Sequence, residues 1–242
     1  MRDPGRALSL ALGLTGAALV AGLPAGASIS SASRAVLHID DRLADRSVVA
    51  LTFDDGPHPR GTPAVLDALE RHQVKATFFL VGEQVASRPS LAAEIVARGH
   101  EIGIHCYHHR AATWRAPRTF RDDLDRAADA IERATGIVPV LYRPPRGVFT
   151  YSALAEVRRR GWFPVLWAAD GRDWRRHATP ASISGRIARR LEGGEVVLLH
   201  DSDFYASPGS WKNTLDALPL LLTAMEAKRL SPATIPRQAF RR

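Results

Sequence analysis

The feature of this 242-residue sequence that most restricts its fold is a regular alternation of short apolar runs with longer amphipathic segments. The apolar runs, among them VVALTF, ATFFLVG and EVVLL, are typical of buried strands. The segments between them carry apolar residues at helical spacing. Strands that alternate with helices lie parallel and are joined by right-handed crossovers. The sequence therefore predicts an α/β fold with six or seven parallel strands, either a doubly wound sheet or a barrel.

Three helix starts are predicted from their capping residues. Thr62 and Thr179 are each followed by Pro, which combines an N-cap hydroxyl with the residue preferred at the first helical position. Thr119 and Asp122 resemble a capping box, with Asp in place of Glu. The helix that they open is expected to end at Gly136.

The first residues resemble an export signal. Arg2 and Arg6 precede the apolar residues 7–23, and an Ala-x-Ala pattern ends at Ala27. The apolar stretch is short for a membrane span, and no second one follows. We expect a secreted or extracytoplasmic protein with a signal peptide or N-terminal anchor at 1–27, a polar linker at 28–46 and one folded domain at 47–236.

The charge balance favours anionic partners. The formal net charge is +8 and the sequence pI is about 10.5. An anionic cell-wall polymer or a lipid surface fits this charge. Nucleic acid is not expected, because no basic run is interleaved with aromatic residues. Cys106 is the single cysteine, so no intrachain disulfide can form.

Polar side chains follow five of the predicted strands, at the point where each strand ends. Active sites of parallel α/β folds lie at this edge of the sheet, so the pattern indicates an enzyme. The residues are Asp54, Asp55, His105, His109, Arg143, Asp170, Asp173, Trp174 and His200.

Three of these residues form a candidate metal site. His105 and His109 can meet one ion in a tight turn, and Asp55 is the natural third ligand. Two His and one carboxylate are a common donor set for catalytic zinc, with one position left open for water. Cys106 is expected to be a buried structural residue, and His108 to face solvent or support the site.

Two further residues can move protons. A divalent metal lowers the pKa of water and makes it a nucleophile at neutral pH, but a base and an acid are still needed. Asp54 can take the proton from water, and His200 can protonate a leaving group.

The motifs TFDDGP, HCYHH, RPPRG, DGRDW and LLH occur in this order. Together they resemble the five motifs of the polysaccharide deacetylases, the NodB homology domain of carbohydrate esterase family 4. The resemblance extends over about residues 47–230. It implies a distorted, incomplete (β/α)7-type barrel with the active site at the C-terminal ends of the strands. It also implies a metal-dependent hydrolase that releases acetate from a glycan.

The resemblance assigns a role to each matching residue. Asp54 matches the catalytic base and His200 the general acid, while Arg143 holds the base and Asp170 orients His200. The divalent metal is usually zinc, with Co²⁺ or another divalent ion as alternatives. Its ligands match Asp55, His105 and His109. The expected substrate pocket comprises Pro145, Arg146, Asp173, Trp174 and Leu198, with a backbone N–H near Pro145 and Arg146 for the oxyanion.

The sequence departs from the family pattern at three places. Cys106 stands where Ser or Thr is usual. Arg146 replaces an aromatic residue, which favours an acidic sugar or a peptide carboxylate in the substrate. The segment HDSDFYASPGSW follows the last motif. Its residues Asp201, Asp203 and Trp211 either line the groove or cap the loop.

Three functions remain compatible with these motifs. The leading one is N-deacetylation of an N-acetylated glycan, either peptidoglycan or a chitin-like polymer. The same site could hydrolyse an O-acetyl ester on a xylan-type polysaccharide. A glycan-binding protein without activity is the third, although no motif residue is lost. We expect a monomer whose partner is the glycan, with the membrane contacted only through an uncleaved N-terminal segment.

Overall fold

A computed structural model describes residues 31–114 and 116–236, so the predicted export signal lies outside the described residues. Within these residues, no helix combines the length and the apolar character that crossing a bilayer requires.

In the part of the chain that the structure describes, eight parallel strands form one sheet. Its order is β5-β4-β3-β2-β1-β7-β6, and β8 pairs with the start of β1. This order follows the chain around a barrel with a gap between β5 and β6, which confirms the predicted incomplete barrel. The strands are β1 (Val48–Asp54), β2 (Thr77–Leu80), β3 (Glu101–Ile104), β4 (Leu141–Tyr142), β5 (Phe163–Pro164), β6 (Ala169–Asp170), β7 (Val196–His200) and β8 (Ser231–Ala233).

The strand count exceeds the predicted six or seven because β8 has the sequence SPA, which carries no apolar signal. The central strand β1 pairs with β2 on one side and β7 on the other. Its residues 49–53 are fully buried. Asp54, the last residue of β1, and Asp55, which follows it, therefore lie at the end of a buried central strand.

Helices cover the sheet and connect its strands. Among the described residues, the first helix is α1 (Ser31–Val36), and the others are α2 (Gly61–Arg71), α3 (Gly82–Ser87), α4 (Pro89–Ala97), α5 (Pro117–Thr135), α6 (Tyr151–Arg159), α7 (Pro180–Ala188) and α8 (Ser210–Ala227). Short 3₁₀ turns occupy Ala112–Trp114 and Pro145–Gly147.

Two of the four predicted helix boundaries are confirmed. Thr179 forms a capping box at the start of α7, and Gly136, at a φ of 69°, ends α5 in the left-handed conformation. The other two are wrong. Pro117 starts α5 ahead of Thr119. Thr62 lies inside α2, where its buried hydroxyl accepts a hydrogen bond from the backbone of His58 and donates one to Asp201.

The structure differs from the predicted linker at residues 31–46. Ile39 and Leu43 are buried in the apolar core. Asp40 bridges Val165, and the Arg42 side chain bonds the buried carboxylate of Glu195. Two apolar residues spaced among polar ones are enough to dock this segment, so it belongs to the folded domain.

Candidate active site

Asp54 and Asp55 lie at the end of β1 and face one pocket. In a continuing strand, neighbouring side chains would point to opposite faces. The chain leaves the strand at Asp55, whose φ is 78°, a left-handed conformation that Asp tolerates better than most residues. This turn brings both carboxylates to the same side.

Arg143 compensates the charge of Asp54. It is fully buried, and its guanidinium donates hydrogen bonds to Oδ1 of Asp54 at 2.7 Å and to the Thr52 hydroxyl at 2.7 Å. A third bond reaches the carbonyl of Leu166 at 3.2 Å. The guanidinium also lies 4.0 Å from the centre of the Phe79 ring. One carboxylate oxygen of Asp54 is thereby fixed, while the other remains directed at the pocket.

Asp55, His105 and His109 form the predicted metal group. Their ligand atoms all lie within 4.8 Å of one another. Oδ1 of Asp55 is 3.4 Å from Nε2 of His105 and 3.2 Å from Nε2 of His109. Two ligands of a tetrahedral zinc ion are separated by about this distance, given zinc–ligand bonds of about 2.0–2.2 Å. Among the described residues, no group donates a hydrogen bond to the buried Oδ1 of Asp55, so the residues present fit a divalent cation.

The protonation of these ligands also suits a cation. Nδ1 of His105 lies 2.8 Å from the carbonyl of Arg143. Since a carbonyl only accepts, Nδ1 carries the hydrogen and Nε2 presents its lone pair. Burial lowers the pKa of His109 to about 4, so its imidazole is neutral. Burial alone would raise the pKa of Asp55, but the three neighbouring histidines lower it to about 2.

The loop that carries both histidines is held by its backbone. Cys106 has a φ of 66°, and its carbonyl accepts a hydrogen bond from Gly82 at 2.9 Å. Asp123, a buried residue of α5, accepts hydrogen bonds from the N–H groups of Tyr107 and His108. Sequence reasoning missed Asp123, because a carboxylate within a helical pattern reads as a solvent-facing residue.

Two neighbouring side chains stay outside the metal group, as the sequence predicts. The Cys106 side chain is buried, with Sγ 3.3 Å from the Tyr142 hydroxyl. His108 pairs through Nδ1 with Glu83 at 2.8 Å.

Asp173, and not the predicted Asp170, orients His200. Oδ1 of Asp173 lies 2.9 Å from Nδ1 of His200, and Oδ2 accepts from the His200 backbone and from Thr214, each at 2.7 Å. Asp170 instead lies 3.2 Å from Arg186. Asp170 is the last residue of β6, and the turn that follows places Asp173 beside His200. The two acids of this motif therefore contact different side chains.

His200 is strongly basic in this setting. Burial by itself lowers its pKa, but the charge and hydrogen bond of Asp173 and the charges of Asp55 and Asp54 raise it to about 10. Nδ1 is engaged by Asp173, and Nε2 lies 3.9 Å from Oδ2 of Asp55. His200 therefore carries a proton that it can deliver through Nε2 into the pocket.

The pocket between these groups measures about 340 Å³, which lies within the usual range for small-molecule sites. Of the predicted pocket residues, Arg146, Trp174 and Leu198 line it, whereas Pro145 and Asp173 are buried outside its wall. Sequence reasoning missed two of its aromatic residues. They are Trp167 and Tyr205.

The loop 201–209 is capped by the residues that the sequence singled out. Asp201 is fully buried against Thr62, and burial raises its pKa to about 7. Asp203 lies 3.1 Å from Nε2 of His58 and accepts a hydrogen bond from Gly209. Trp211 is buried at the start of α8. Of the two alternatives left open by the sequence, the structure supports loop capping for Asp201 and Asp203, and none of the three residues lines the pocket.

Arg146 lies between the pocket and a larger cleft. It has a φ of 62° in the 3₁₀ turn after β4, and its side chain is exposed. The adjoining cleft, of about 1150 Å³, shares His109 and Arg146 with the pocket. Arg110, Arg126 and Asp122 also line it.

The comparisons with known proteins agree with this geometry. Residues 41–163 match the family model described as polysaccharide deacetylase. The chain is 37% identical over 193 residues to the chitooligosaccharide deacetylase of Bradyrhizobium sp. (strain ANU 289), covering 79% of this chain and 86% of the relative. It is 39% identical over 155 residues to the peptidoglycan-N-acetylmuramic acid deacetylase PdaA of Bacillus subtilis (strain 168), covering 63% of this chain and 59% of PdaA.

A solved structure shares the fold. The crystal structure of the Bc1960 peptidoglycan N-acetylglucosamine deacetylase, in complex with an N-hydroxybenzamide, superposes with a TM-score of 0.76 at 30% identity. The match covers 81% of this chain and 89% of that chain. The ordered motifs, the open barrel and these relatives lead to one conclusion: the chain belongs to the polysaccharide deacetylase family and is a deacetylase of that class.

Proposed function

We propose that this protein is a metal-dependent hydrolase that removes N-acetyl groups from an N-acetylated cell-wall glycan and releases acetate. The observation that carries the proposal is the division between two adjacent acids. The negative charge of Asp54 is balanced by buried Arg143. Oδ1 of Asp55 lies within 3.4 Å of Nε2 of both His105 and His109. One acid is thus available as a base, and the other as a ligand.

Asp55, His105 and His109 would hold the cation. Zinc is the best candidate, because one carboxylate and two imidazoles form a typical catalytic zinc set, and Co²⁺ suits the same donors. When bound, the cation would polarise the acetyl carbonyl and make water nucleophilic at neutral pH.

Asp54 would take the proton from the attacking water. Arg143 fixes Oδ1, so Oδ2 is the oxygen that faces the pocket, 3.8 Å from Nε2 of His105. A base must lie within hydrogen-bond reach of the proton that it takes, and Asp54 and the metal group share one pocket wall.

His200 would protonate the sugar nitrogen as the carbon–nitrogen bond breaks. Water supplies the new carbon–oxygen bond, so the products are acetate and a free amino sugar. Asp173 keeps Nδ1 engaged and leaves Nε2 as the donor. The N–H of Arg146 is the candidate donor to the oxyanion, because Pro145 has no N–H and that of Gly147 is bonded to Pro144.

The substrate we favour carries a carboxylate near the acetamido group. Arg146 places a guanidinium at the junction of the pocket and the cleft, and guanidinium forms paired hydrogen bonds with carboxylate. An acidic amino sugar of peptidoglycan or a peptide carboxylate would supply that group. The similarity to PdaA, an N-acetylmuramic acid deacetylase, supports this choice, and so does the net charge of +8. Action on cell-wall glycan also implies an extracytoplasmic location.

Acetate release from a panel of substrates tests the proposal. The panel contains peptidoglycan, chitin oligosaccharides and acetylated xylan, each with zinc-loaded protein and with chelator. We expect release from peptidoglycan, its loss with chelator and its recovery when zinc is returned. Release from acetylated xylan alone would replace the proposal with an O-acetyl esterase. No acetate from any substrate would favour a glycan-binding protein.

A further inference from the structure

The loop 201–209, between β7 and α8, places an aromatic ring on one metal-ligand candidate. The ring of Tyr205 stacks on the imidazole of His109, with centroids 4.1 Å apart and planes at 15°. The proposed chemistry gives this tyrosine no part, although its side chain lines the same pocket. The contact is nearly parallel, so it constrains the plane of the imidazole as well as its place.

The two histidines of the metal group are oriented in different ways. The ring of His105 is fixed by the hydrogen bond from Nδ1 to the carbonyl of Arg143 at 2.8 Å. Within residues 31–114 and 116–236, no group accepts a hydrogen bond from Nδ1 of His109. Its ring contacts are the stack on Tyr205 and a tilted approach to His105 at 5.2 Å. The stack takes the place of the hydrogen bond that usually orients a ligating histidine.

Tyr205 is itself held by the first turn of α3. Its hydroxyl donates to Oε1 of Glu83 at 2.6 Å and accepts from Gln84 at 3.2 Å. Oε2 of Glu83 pairs with Nδ1 of His108 at 2.8 Å. One carboxylate therefore joins the stacking ring to the residue that precedes His109 in the chain.

The rest of the loop fixes the tyrosine from the other side. Asp203 lies 3.1 Å from Nε2 of His58 and accepts a hydrogen bond from the N–H of Gly209. The loop is thus attached to the segment after β1 as well as to α3. Because the loop is fixed at both of these contacts, the ring of Tyr205 can restrict the orientation of the His109 imidazole.

We propose that Tyr205 is a positioning residue that fixes the imidazole of His109 with Nε2 directed at Asp55, and so retains the divalent metal. This inference rests on the proposed function, because it takes Asp55, His105 and His109 as the ligands. Residues that orient ligating side chains typically change metal affinity by about 10- to 100-fold when they are replaced.

Three variants of the full chain test the inference. Tyr205→Leu removes the stacking ring, and Tyr205→Phe keeps the ring but loses the bond to Glu83. Phe204→Leu, the matched control, removes the adjacent aromatic ring, which contacts His58 and not the metal group. Zinc affinity and the rate of zinc loss are measured by competition with a chromophoric chelator. The Co²⁺-substituted proteins are compared by their visible absorption, and the metal-free proteins by thermal unfolding.

We expect Tyr205→Leu to weaken zinc binding about 10-fold or more and to alter the Co²⁺ spectrum, with Tyr205→Phe close to the wild type. Phe204→Leu should bind zinc normally. The inference is overturned if Tyr205→Leu retains wild-type affinity and spectrum, or if Phe204→Leu loses as much. Acetate release by the wild type, measured alongside, separates the two proposals. If the wild type releases acetate while Tyr205→Leu keeps wild-type zinc affinity, only the positioning role of Tyr205 is refuted.

Discussion

The active site has two halves that are built differently. The first, strand-borne half lies on strands or directly after them and comprises Asp54, His105, Arg143 and His200. Hydrogen bonds from the sheet and its buried loops fix these side chains. The second half comprises His109, Arg146, Trp174 and Tyr205, which lie on loops and are partly or fully exposed. The strand-borne half would carry the proton-transfer chemistry, while the loop-borne half supplies one metal-ligand candidate, His109, and borders the pocket. Substitutions in the first should therefore change rate and stability, and those in the second should change affinity and preference.

The largest effect is expected from Asp54→Asn. An amide cannot take a proton from water, and loss of a general base typically costs about 10²- to 10⁴-fold in rate. Zinc content should remain that of the wild type, because Asp54 is separate from the ligand set. The measurement is kcat for acetate release together with zinc bound per chain.

Asp55→Asn is the matched variant at the neighbouring position. It replaces the buried carboxylate between the two histidines, so we expect weaker zinc binding and activity that recovers in part at high zinc concentration. Equal zinc loss in both variants would contradict the division of roles between the two acids.

Arg143→Met tests the buried ion pair of the strand-borne half. The change leaves the carboxylate of Asp54 buried without its partner, and removing one member of such a pair costs about 3–5 kcal/mol. Urea unfolding of the metal-free protein measures the free energy of unfolding. Arg98→Met is the control, because its three ion pairs lie at the surface and contribute about 1 kcal/mol or less each. Similar losses of unfolding free energy in the two variants would show that the buried ion pair stabilises the fold no more than the surface ion pairs do.

Asp173→Asn and Asp170→Asn separate the predicted from the observed partner of His200. A general acid works while protonated, so activity falls as pH rises through the pKa of His200, which is raised to about 10. Removing the charge of Asp173 should lower that pKa and move the alkaline limb to lower pH by about 1–3 units. Asp170→Asn should leave the limb in place, because Asp170 pairs with Arg186. The reverse result would restore the prediction made from the sequence. The measurement is the pH dependence of kcat.

Asp170 and Asp173 show which parts of the site can be predicted from the sequence and which cannot. Motif spacing correctly predicts that Asp54, Asp55, His105, His109 and His200 meet, because parallel strands bring their carboxyl ends to one edge. The family resemblance misassigns Asp170, because the backbone of a turn decides which of two acids three residues apart faces His200.

Contacts between distant loops have no pattern in the sequence at all. Tyr205 meets Glu83 and His109 across more than ninety residues, and Asp123 reaches the metal loop from within a helix. Such contacts depend on the tertiary path of the chain, whereas strand-end residues are placed by the order of strands alone. The residues at the strand ends were for that reason predictable, whereas Tyr205 and Asp123 were not.

Arg146→Tyr should have the smallest effect, and it bears on the loop-borne half alone. Arg146 is exposed, so its pairing with a substrate carboxylate is screened by water, and we expect a change of roughly 5-fold. The change should appear as a shift in kcat/KM away from acidic glycans toward neutral chitin oligosaccharides, with zinc content unaltered. Arg118→Tyr on α5, which lines neither the pocket nor the cleft, controls for the loss of one positive charge.

Increasing salt should weaken the preference of the wild type for acidic glycans but not that of Arg146→Tyr, because only a charge-based preference is screened. An unchanged ratio between acidic and neutral substrates in Arg146→Tyr would mean that the exposed guanidinium does not select the sugar. The choice of substrate would then fall to the aromatic walls that Trp167 and Trp174 form around the pocket.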